Sequence, residues 1–498
     1  MKAVLAIDQG TTGTTALVVA RDGRLLGRGY REVTQHFPKP GEVEHDPDEI
    51  FRITLEAARE AIRQAQLVPV ALGITNQRET VCVWERGTGR PLHRAIVWQD
   101  RRTAARCLEL AKQRKAPLIR RRTGLVVDPY FSATKIEWLL ERVPGLERRV
   151  ASGEAVFGTI DAWLLFRLTN GGSFATDHTN ASRTMLYDIG ARAWDDDLLA
   201  LFGVRREALP EVRSSSGSFG VCAAEHLGAE IPVLGMAGDQ QAALFGQGCV
   251  GPGQAKNTYG TGAFLLLHTG KRRAASTHGL LTTVACGARG EPVYALEGSV
   301  FIAGAAVQWL RDGLKLIERA AETERLARDV PDTGGVYFVP AFVGLGAPHW
   351  EPNARGIIVG ITRGTGRAHL ARAALEAMAF STRDVLEAMT ADAKLRLHAL
   401  QVDGGAAAND WLMQFQADLL GVPVARPDVV ETTALGAAAL AGLAAGVWQE
   451  PQEFLAGRRF RRFEPGADAR AVRARGAEWQ RAVETALHWA ARGGRARP

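Results

Sequence analysis

AVLAIDQGTTGTTALVVA, residues 3–20, sets two apolar runs around a polar turn of glycine and threonine. AVLAI at 3–7 is predicted as a buried strand, DQGTTG at 8–13 as a turn, and TALVVA at 15–20 as a second strand. RLLGRGYREV at 24–33 continues the meander as a third. Such a turn, placed directly after a buried strand, has two readings. Glycine lets backbone N–H groups approach a triphosphate, threonine adds hydroxyl donors, and Asp8 at the strand end is able to hold magnesium directly or through water. Alternatively, the stretch is an ordinary hairpin with Asp8 capping its turn.

A helix is predicted next, with Asp46 as N-cap, Pro47 at the first helical position and Glu49 three residues after the cap. Ile50, Ile53, Leu55, Ala58 and Ile62 give it an apolar face through residue 64. Strands VALGIT (70–75) and TVCVW (80–84) bracket the polar loop NQRE. The order recurs later in the chain. NTYGTGAFLLLHT at 257–269 is a glycine turn entering an apolar strand. Helical segments are expected at about 303–329, 367–391 and 409–420, with the strand LHALQVDGG before the last. This alternation predicts an α/β protein with mixed sheets. One Gly-Thr hairpin in each half points to a duplication with a cleft between. The break is placed near GQGCVGPG (246–253), giving units 1–247 and 248–498.

At 498 residues the chain exceeds one hydrophobic core, and its 46% apolar and 23% charged composition is that of a globular protein. The net charge of +7 includes the runs Arg120, Arg121, Arg122 and Arg458, Arg459, Arg461, Arg462, read as solvated faces rather than a nucleic-acid surface. MKAVLAIDQG lacks the features of a signal peptide, and no 18-residue apolar stretch predicts a membrane span. Five scattered cysteines form no CxxC pair, so neither a zinc site nor a disulfide frame is expected and a reducing cytoplasm fits.

Two further glycine loops follow strands: Asn257-Thr258-Tyr259-Gly260-Thr261-Gly262, and Asp403 to Asn409, where Asn409 either caps a helix or reads a base. No Walker A pattern is present, and Gly246 to Gly251 fits GxGxxG without the strand before and helix after that a dinucleotide fold needs. Arg78 and Glu79 are either a surface ion pair or a donor–acceptor pair for neighbouring hydroxyls. Asp239 is either a helix cap or a carboxylate that takes the proton of an attacking hydroxyl. Trp98, Tyr130 and Phe264 either wall a small substrate or belong to the core.

The blocks AIDQGTT, GITNQRET, AIVWQDRRTA, NASRTMLYDI, AGDQQAALFGQ, AKNTYGTG, YALEGSVF and VDGGAAAN decide between these readings. The sequence resembles the FGGY carbohydrate kinases over roughly residues 2–465. NQRET, GDQQAALFGQ and KNTYGTG favour the branch acting on glycerol over those acting on pentuloses and other sugars. The resemblance implies a two-domain, actin-like ATPase fold of the ribonuclease H class, with ATP and substrate meeting in the interdomain cleft. It implies transfer of the γ-phosphoryl group of ATP to glycerol, giving sn-glycerol 3-phosphate and ADP. Arg78, Glu79, Tyr130, Asp239 and Gln240 would hold the hydroxyls, with Trp98 and Phe264 as apolar walls and Asp239 as base. Thr11, Thr12, Gly13 and Thr261 would meet phosphates, Gly304, Gln308, Gly405 and Asn409 would line the path of ADP, and Asp8 would sit near Mg2+. A cytoplasmic homodimer or homotetramer is implied as well.

Two departures from the resemblance stand out. Thr15 occupies a position where many relatives carry an arginine near the nucleotide phosphates. The segment 222–230, CAAEHLGAE, replaces the basic glycine-rich loop with which some relatives bind fructose 1,6-bisphosphate, so no inhibition by that compound is expected. His226 within it is read as an exposed loop residue.

Overall fold

The computed structural model describes residues 2–493. Strands β1 (Ala3–Gln9), β2 (Gly13–Ala20) and β3 (Leu25–Glu32) form the expected meander, closed at its first turn by Gly10 N donating to Gly13 O at 2.9 Å. Helix α1 (Pro47–Ala65) starts where its signals place it, Asp46 accepting from the backbone N–H groups of Asp48 and Glu49. The reciprocal half of the capping box is missing. Glu49 instead accepts from Thr34, tying the helix start to the end of the meander.

Strand β4 (Ala71–Asn76) lies parallel to β1, whereas β5 (Val81–Glu85), only four residues on, belongs to a separate small sheet. The loop between them therefore turns from one sheet to another. With β6 (Ser216–Cys222) and β7 (Ile231–Gly238), the first sheet has the order β6-β7-β4-β1-β2-β3. Helix α2 (Asp239–Gly246) follows β7 directly.

The second sheet comprises β8 (Gln254–Tyr259), β9 (Ala263–Gly270), β10 (Leu281–Cys286), β11 (Pro292–Val300), β12 (Ala399–Asp403), β13 (Val424–Pro427) and β14 (Phe460–Phe463). Its order is β10-β11-β9-β8-β12-β13-β14. From β3 across to β6 the first sheet pairs antiparallel, antiparallel, parallel, parallel, antiparallel; from β11 across to β14 the second repeats that pattern strand for strand. The duplication inferred from two short turns thus extends through six strands.

Helices α3 (Gly304–Gln308), α4 (Glu322–Arg328), α5 (Arg367–Ala393), α6 (Asp410–Leu420) and α7 (Thr432–Ala444) complete the parts that shape the site. The helix expected over 303–329 is broken. A wider, π-type turn at Trp309–Gly313 ends it, Lys315 takes a left-handed φ of 57°, and regular helix resumes only at Glu322. Helix α7 lies beyond residue 248 yet packs on the first sheet, its alanines sharing a core with Val4, Ala6, Leu17 and Val19. Small residues permit this approach. A Cβ on Gly73 of β4 would stand 2.2 Å from the carbonyl oxygen of Ala437.

The arginine runs are tied down more than their sequence suggested. Arg122 pairs with Asp188, Asp195 and Asp197, and Arg461 with Asp410. Arg458 is half-buried, its guanidinium donating to the carbonyls of Gly246 and Val429, so it is no solvated residue. His226 also differs from expectation. It lies in the helical turn Ala224–Leu227, packs edge-on against Phe51 at 5.4 Å, and is 2.9 Å from Asn170 Oδ1 through Nε2. Its aromatic partner, Phe51, is distant in sequence, which is why no aromatic neighbour was visible around residue 226. All five cysteines are buried and unpaired.

Candidate active site

Because β4 and β5 belong to different sheets, residues 77–80 must turn sharply and sit buried where the sheets part. Glu79 takes φ +62°, a conformation that costs a non-glycine residue energy and must be held by its surroundings. Its restraint is an ion pair: Arg183 Nε donates to Glu79 Oε1 at 2.6 Å. Arg78, beside it, is 2% exposed and not the surface pair its sequence allowed.

Arg78 reaches three carboxylates and a tyrosine hydroxyl. Nε is 3.1 Å from Asp239 Oδ1 and 3.8 Å from Glu79 Oε1. Nη1 donates to Glu297 Oε2 at 2.7 Å, and Nη2 to Glu297 Oε1 at 3.2 Å and to the Tyr130 hydroxyl at 3.5 Å. Tyr130 meets Trp98 edge-to-face at 5.5 Å, and the Trp98 indole N–H donates to Thr11 Oγ1 at 2.8 Å. One chain of contacts therefore runs from the acid of α2 through Arg78 and two aromatic rings to the glycine-threonine turn of β1 and β2. Asp239 is the first residue of α2, with Gly238 as the cap, so its carboxylate lies at the positive end of the helix and remains partly exposed to the cleft.

Gln240 follows Asp239 and accepts through Oε1 from Lys256 Nζ, which also donates to Thr258 Oγ1 at 2.9 Å. Burial lowers the Lys256 pKa, partly offset by the charges of Asp403 and Asp239. Phe264 is half-buried on β9, opposite Thr258 and Ser299, and is not one of the residues knit together by these contacts. Asp8, next to last in β1, is half-buried. Burial, and then the nearby charge of Asp239, push its carboxyl up to about 7.

A cleft of about 460 Å³ opens on the second sheet. Thr261, Gly304, Gln308, Gly405 and Asn409 line it together, with Leu375 and Met378 supplying apolar surface. The break after α3 helps to create this space, because Arg311, Ala320 and Ala321 border it as well. Asn409 caps α6 through Oδ1, accepting from Leu412 N at 2.9 Å, while Nδ2 is 3.5 Å from Thr323. Thr11, Thr12 and Gly13 stand on the other hairpin, that of the first sheet.

Gly404 precedes the cleft-lining Gly405 and packs tightly on the Tyr259 backbone. Its φ is +84°, and a Cβ there would lie 2.3 Å from the carbonyl oxygen of Tyr259. Gly404→Ala is expected to push the 404–409 loop off the hairpin and, with ADP placed along this cleft as the resemblance implies, to weaken ADP binding at least about ten-fold, because backbone cannot yield to the methyl group. Calorimetric titration with ADP checks this, and an unchanged dissociation constant would refute it.

Arg183, Glu297 and Lys256 are structural members of the site that no motif argument singled out. Each lies inside a block used for the resemblance, and Glu297 carries its own signal, a lone carboxylate within the apolar strand YALEGSVF.

Comparison with known proteins gives the family. The N-terminal domain of the FGGY family of carbohydrate kinases matches residues 3–246, and the family's C-terminal domain matches residues 255–445. This chain belongs to the FGGY family of carbohydrate kinases. Among FGGY proteins it is similar to a glycerol kinase of Dechloromonas aromatica, 57% identical over 98% of each chain. It is likewise 54% identical to glycerol kinase 2 of Thermotoga maritima, over 98% of this chain and 99% of the other. A solved glycerol kinase from Plasmodium falciparum, crystallised with ADP, superposes with a TM-score of 0.93 at 38% identity, covering 98% of each chain. A solved xylulose kinase of Lactobacillus acidophilus shares the fold, with a TM-score of 0.87 and 22% identity over 98% of this chain and 99% of that one.

Proposed function

We propose that this FGGY protein phosphorylates glycerol with ATP, using Asp239 as the base. The observation that carries the reading is the 3.1 Å contact between Arg78 and Asp239, which brings NQRET and GDQQ to one spot beside the Trp98–Thr11 contact. Glycerol has three hydroxyls and little apolar surface, so recognition falls to paired donors and acceptors. Arg78 supplies donors, Glu79 and Asp239 acceptors, and Tyr130, Gln240, Trp98 and Phe264 complete the enclosure.

In the reaction a terminal hydroxyl oxygen of glycerol forms a bond to the γ-phosphorus. The bond from that phosphorus to the β–γ bridging oxygen breaks, ADP leaves, and the hydroxyl proton passes to Asp239. Thr11, Thr12, Gly13 and Thr261 meet phosphates from the two hairpins, with Gly304, Gln308, Gly405 and Asn409 along the ADP cleft. Positioning and charge neutralisation suffice for this chemistry, and closing of the cleft would keep water from competing with glycerol.

A divalent cation fits the donor set. Asp8 is a half-buried carboxylate near a second, that of Asp239, and both repulsion and desolvation would be relieved by a hard cation. Among the described residues no group of three or more His, Cys, Asp or Glu forms a metal cage, as suits magnesium, which takes one or two carboxylates plus phosphate oxygens. When bound, Mg2+ neutralises charge on the β- and γ-phosphates. A pH dependence follows. A carboxyl raised from 3.8 to about 7 on folding contributes stability below the lower value, and that contribution is lost as pH rises through the upper one. In chelator, melting temperature is expected to fall between about pH 4 and about pH 7, and added Mg2+ to restore more at the higher pH. Asp8→Asn should flatten both trends in thermal denaturation. Trends that persist in Asp8→Asn would remove Asp8 from the cation site.

Fructose 1,6-bisphosphate is expected to leave activity unchanged. Segment 222–230 carries Glu225 and Glu230, and the nearby Arg59 guanidinium is already held by the backbone carbonyls of Glu225 and His226. Saturable inhibition by that compound would contradict this. We also place the protein in the cytoplasm as a homodimer or homotetramer, on kinship alone, with light scattering as the check. No helix among the described residues is long and apolar enough to cross a membrane. The division into units 1–247 and 248–498 is proposed for the chain order, with α7 returning to the first unit.

The deciding experiment is ADP release from ATP with glycerol, erythritol and a ketopentose as acceptors. Glycerol-dependent release well above the others is expected. Absence of glycerol-dependent release would end the proposal.

A further inference from the structure

Glu297 lies on β11 of the second sheet, and its side chain is only 4% exposed. A carboxylate buried in an apolar strand is costly unless fully paired. Its partners all come from the first half of the chain. Oε2 accepts from Arg78 Nη1 at 2.7 Å, while Oε1 accepts from Arg78 Nη2 at 3.2 Å and from Arg183 Nη2 at 2.9 Å. Burial alone would raise the Glu297 carboxyl, but Arg183 and Arg78 overcome that and hold it at about 2. The strand that delivers Glu297 is anchored to the first half by the Tyr294 hydroxyl, which donates to Ile189 O at 2.8 Å, and its neighbour β10 by Thr282 N, which donates to Gly124 O at 3.0 Å.

This arrangement consumes Arg78 in a particular way. Both Nη groups donate to Glu297, Nη1 reaching Gln241 Oε1 as well at 3.3 Å and Nη2 the Tyr130 hydroxyl at 3.5 Å, which fixes the guanidinium plane with Nε toward Asp239. A guanidinium beside a free carboxylate prefers a two-point fork. Asp239 offers such a carboxylate, and a fork there would occupy both of its oxygens. We propose that Glu297 is a positioning residue: it holds Arg78 in the orientation whose nearest approach to Asp239 is Nε against Oδ1, keeping the second Asp239 oxygen free for the acceptor hydroxyl. The glycerol site is thereby completed by a side chain from the nucleotide-binding half. This inference rests on the reading of Asp239 as base, and it adds a residue that touches neither substrate.

The test is Glu297→Gln, which preserves shape and one acceptor oxygen while removing the charge. The expected result is a fall in kcat/KM for glycerol of about 10- to 100-fold, with KM for ATP within about three-fold of wild type. Preference for glycerol over propane-1,3-diol, which lacks the central hydroxyl, should shrink by about ten-fold, since a misaligned Arg78 no longer rewards that hydroxyl. A folded variant with wild-type kinetics overturns the proposal. So does an equal loss on both acceptors, which is what a smaller active fraction would give. Should Glu297→Gln not fold, Glu297→Asp retains the charge but retracts it by one methylene, and wild-type acceptor preference there overturns the proposal equally. Wild-type turnover of glycerol, measured first, reports separately on the kinase reading.

Discussion

Asp239→Asn is expected to lower kcat with glycerol by about 10²–10⁴-fold while changing glycerol binding little. Asparagine keeps the shape of the carboxylate; its Oδ1 still lies beside Arg78 Nε, 3.1 Å away in the native site, and still accepts from the Gln240 backbone N–H, so the acceptor pocket survives. What disappears is the ability to take a proton as the hydroxyl oxygen attacks. Coupled measurement of ADP release gives kcat, and calorimetry gives the glycerol dissociation constant. A kcat within about ten-fold of wild type would remove the base from this mechanism. A second readout belongs to the same variant. Asp239 contributes to the elevation of the Asp8 carboxyl, so its neutralisation should lower the pH at which Asp8 loses its proton. The pH window of Mg2+ stabilisation would then move downward, an effect that a general loss of structure would not produce.

What the sequence made legible follows the range of the interactions involved. The hairpin of residues 3–20 and the start of α1 were readable because apolar alternation and an Asp-Pro cap act within a few residues. The cleft residues Thr261, Gly304, Gln308, Gly405 and Asn409 came from kinship, and the fold then gathers them around one space. Failures share a different character. The break at Trp309–Gly313 interrupts residues with good helical pattern, because a regular helix there would fill the cleft that Arg311 and Ala320 border. Helix α7 packs on the first sheet because glycines and alanines far apart in sequence allow backbones to touch, as at Gly73 and Ala437. No local signal records which surface a small-residue helix will find. Arg183 and Glu297 were passed over for the same reason, their partners being 104 and 219 positions away.

That long-range network makes Arg78→Met the most damaging substitution expected for stability. Arg78 is 2% exposed and lies against three carboxylates, those of Glu79, Asp239 and Glu297. Methionine fills much of the same volume without charge, leaving Glu79 and Glu297 to share Arg183 alone. Removing one partner of a buried ion pair costs about 3–5 kcal/mol, because the remaining charge keeps its desolvation penalty and loses its compensation. For a folding unit of about 250 residues this corresponds to a fall in melting temperature on the order of 10 °C. Arg78→Lys should recover only part of the loss, since a single ammonium cannot bond Glu297 twice and still reach Asp239. Pairing Arg78→Met with Glu297→Leu separates charge from packing. If the loss is electrostatic, the double variant should be more stable than Arg78→Met alone, as replacement of a whole buried pair by apolar groups is often neutral or better. A double variant no more stable than the single one would mean that Arg78 supports the fold through its contacts with Glu79 and Asp239, and that Glu297 has little part in it.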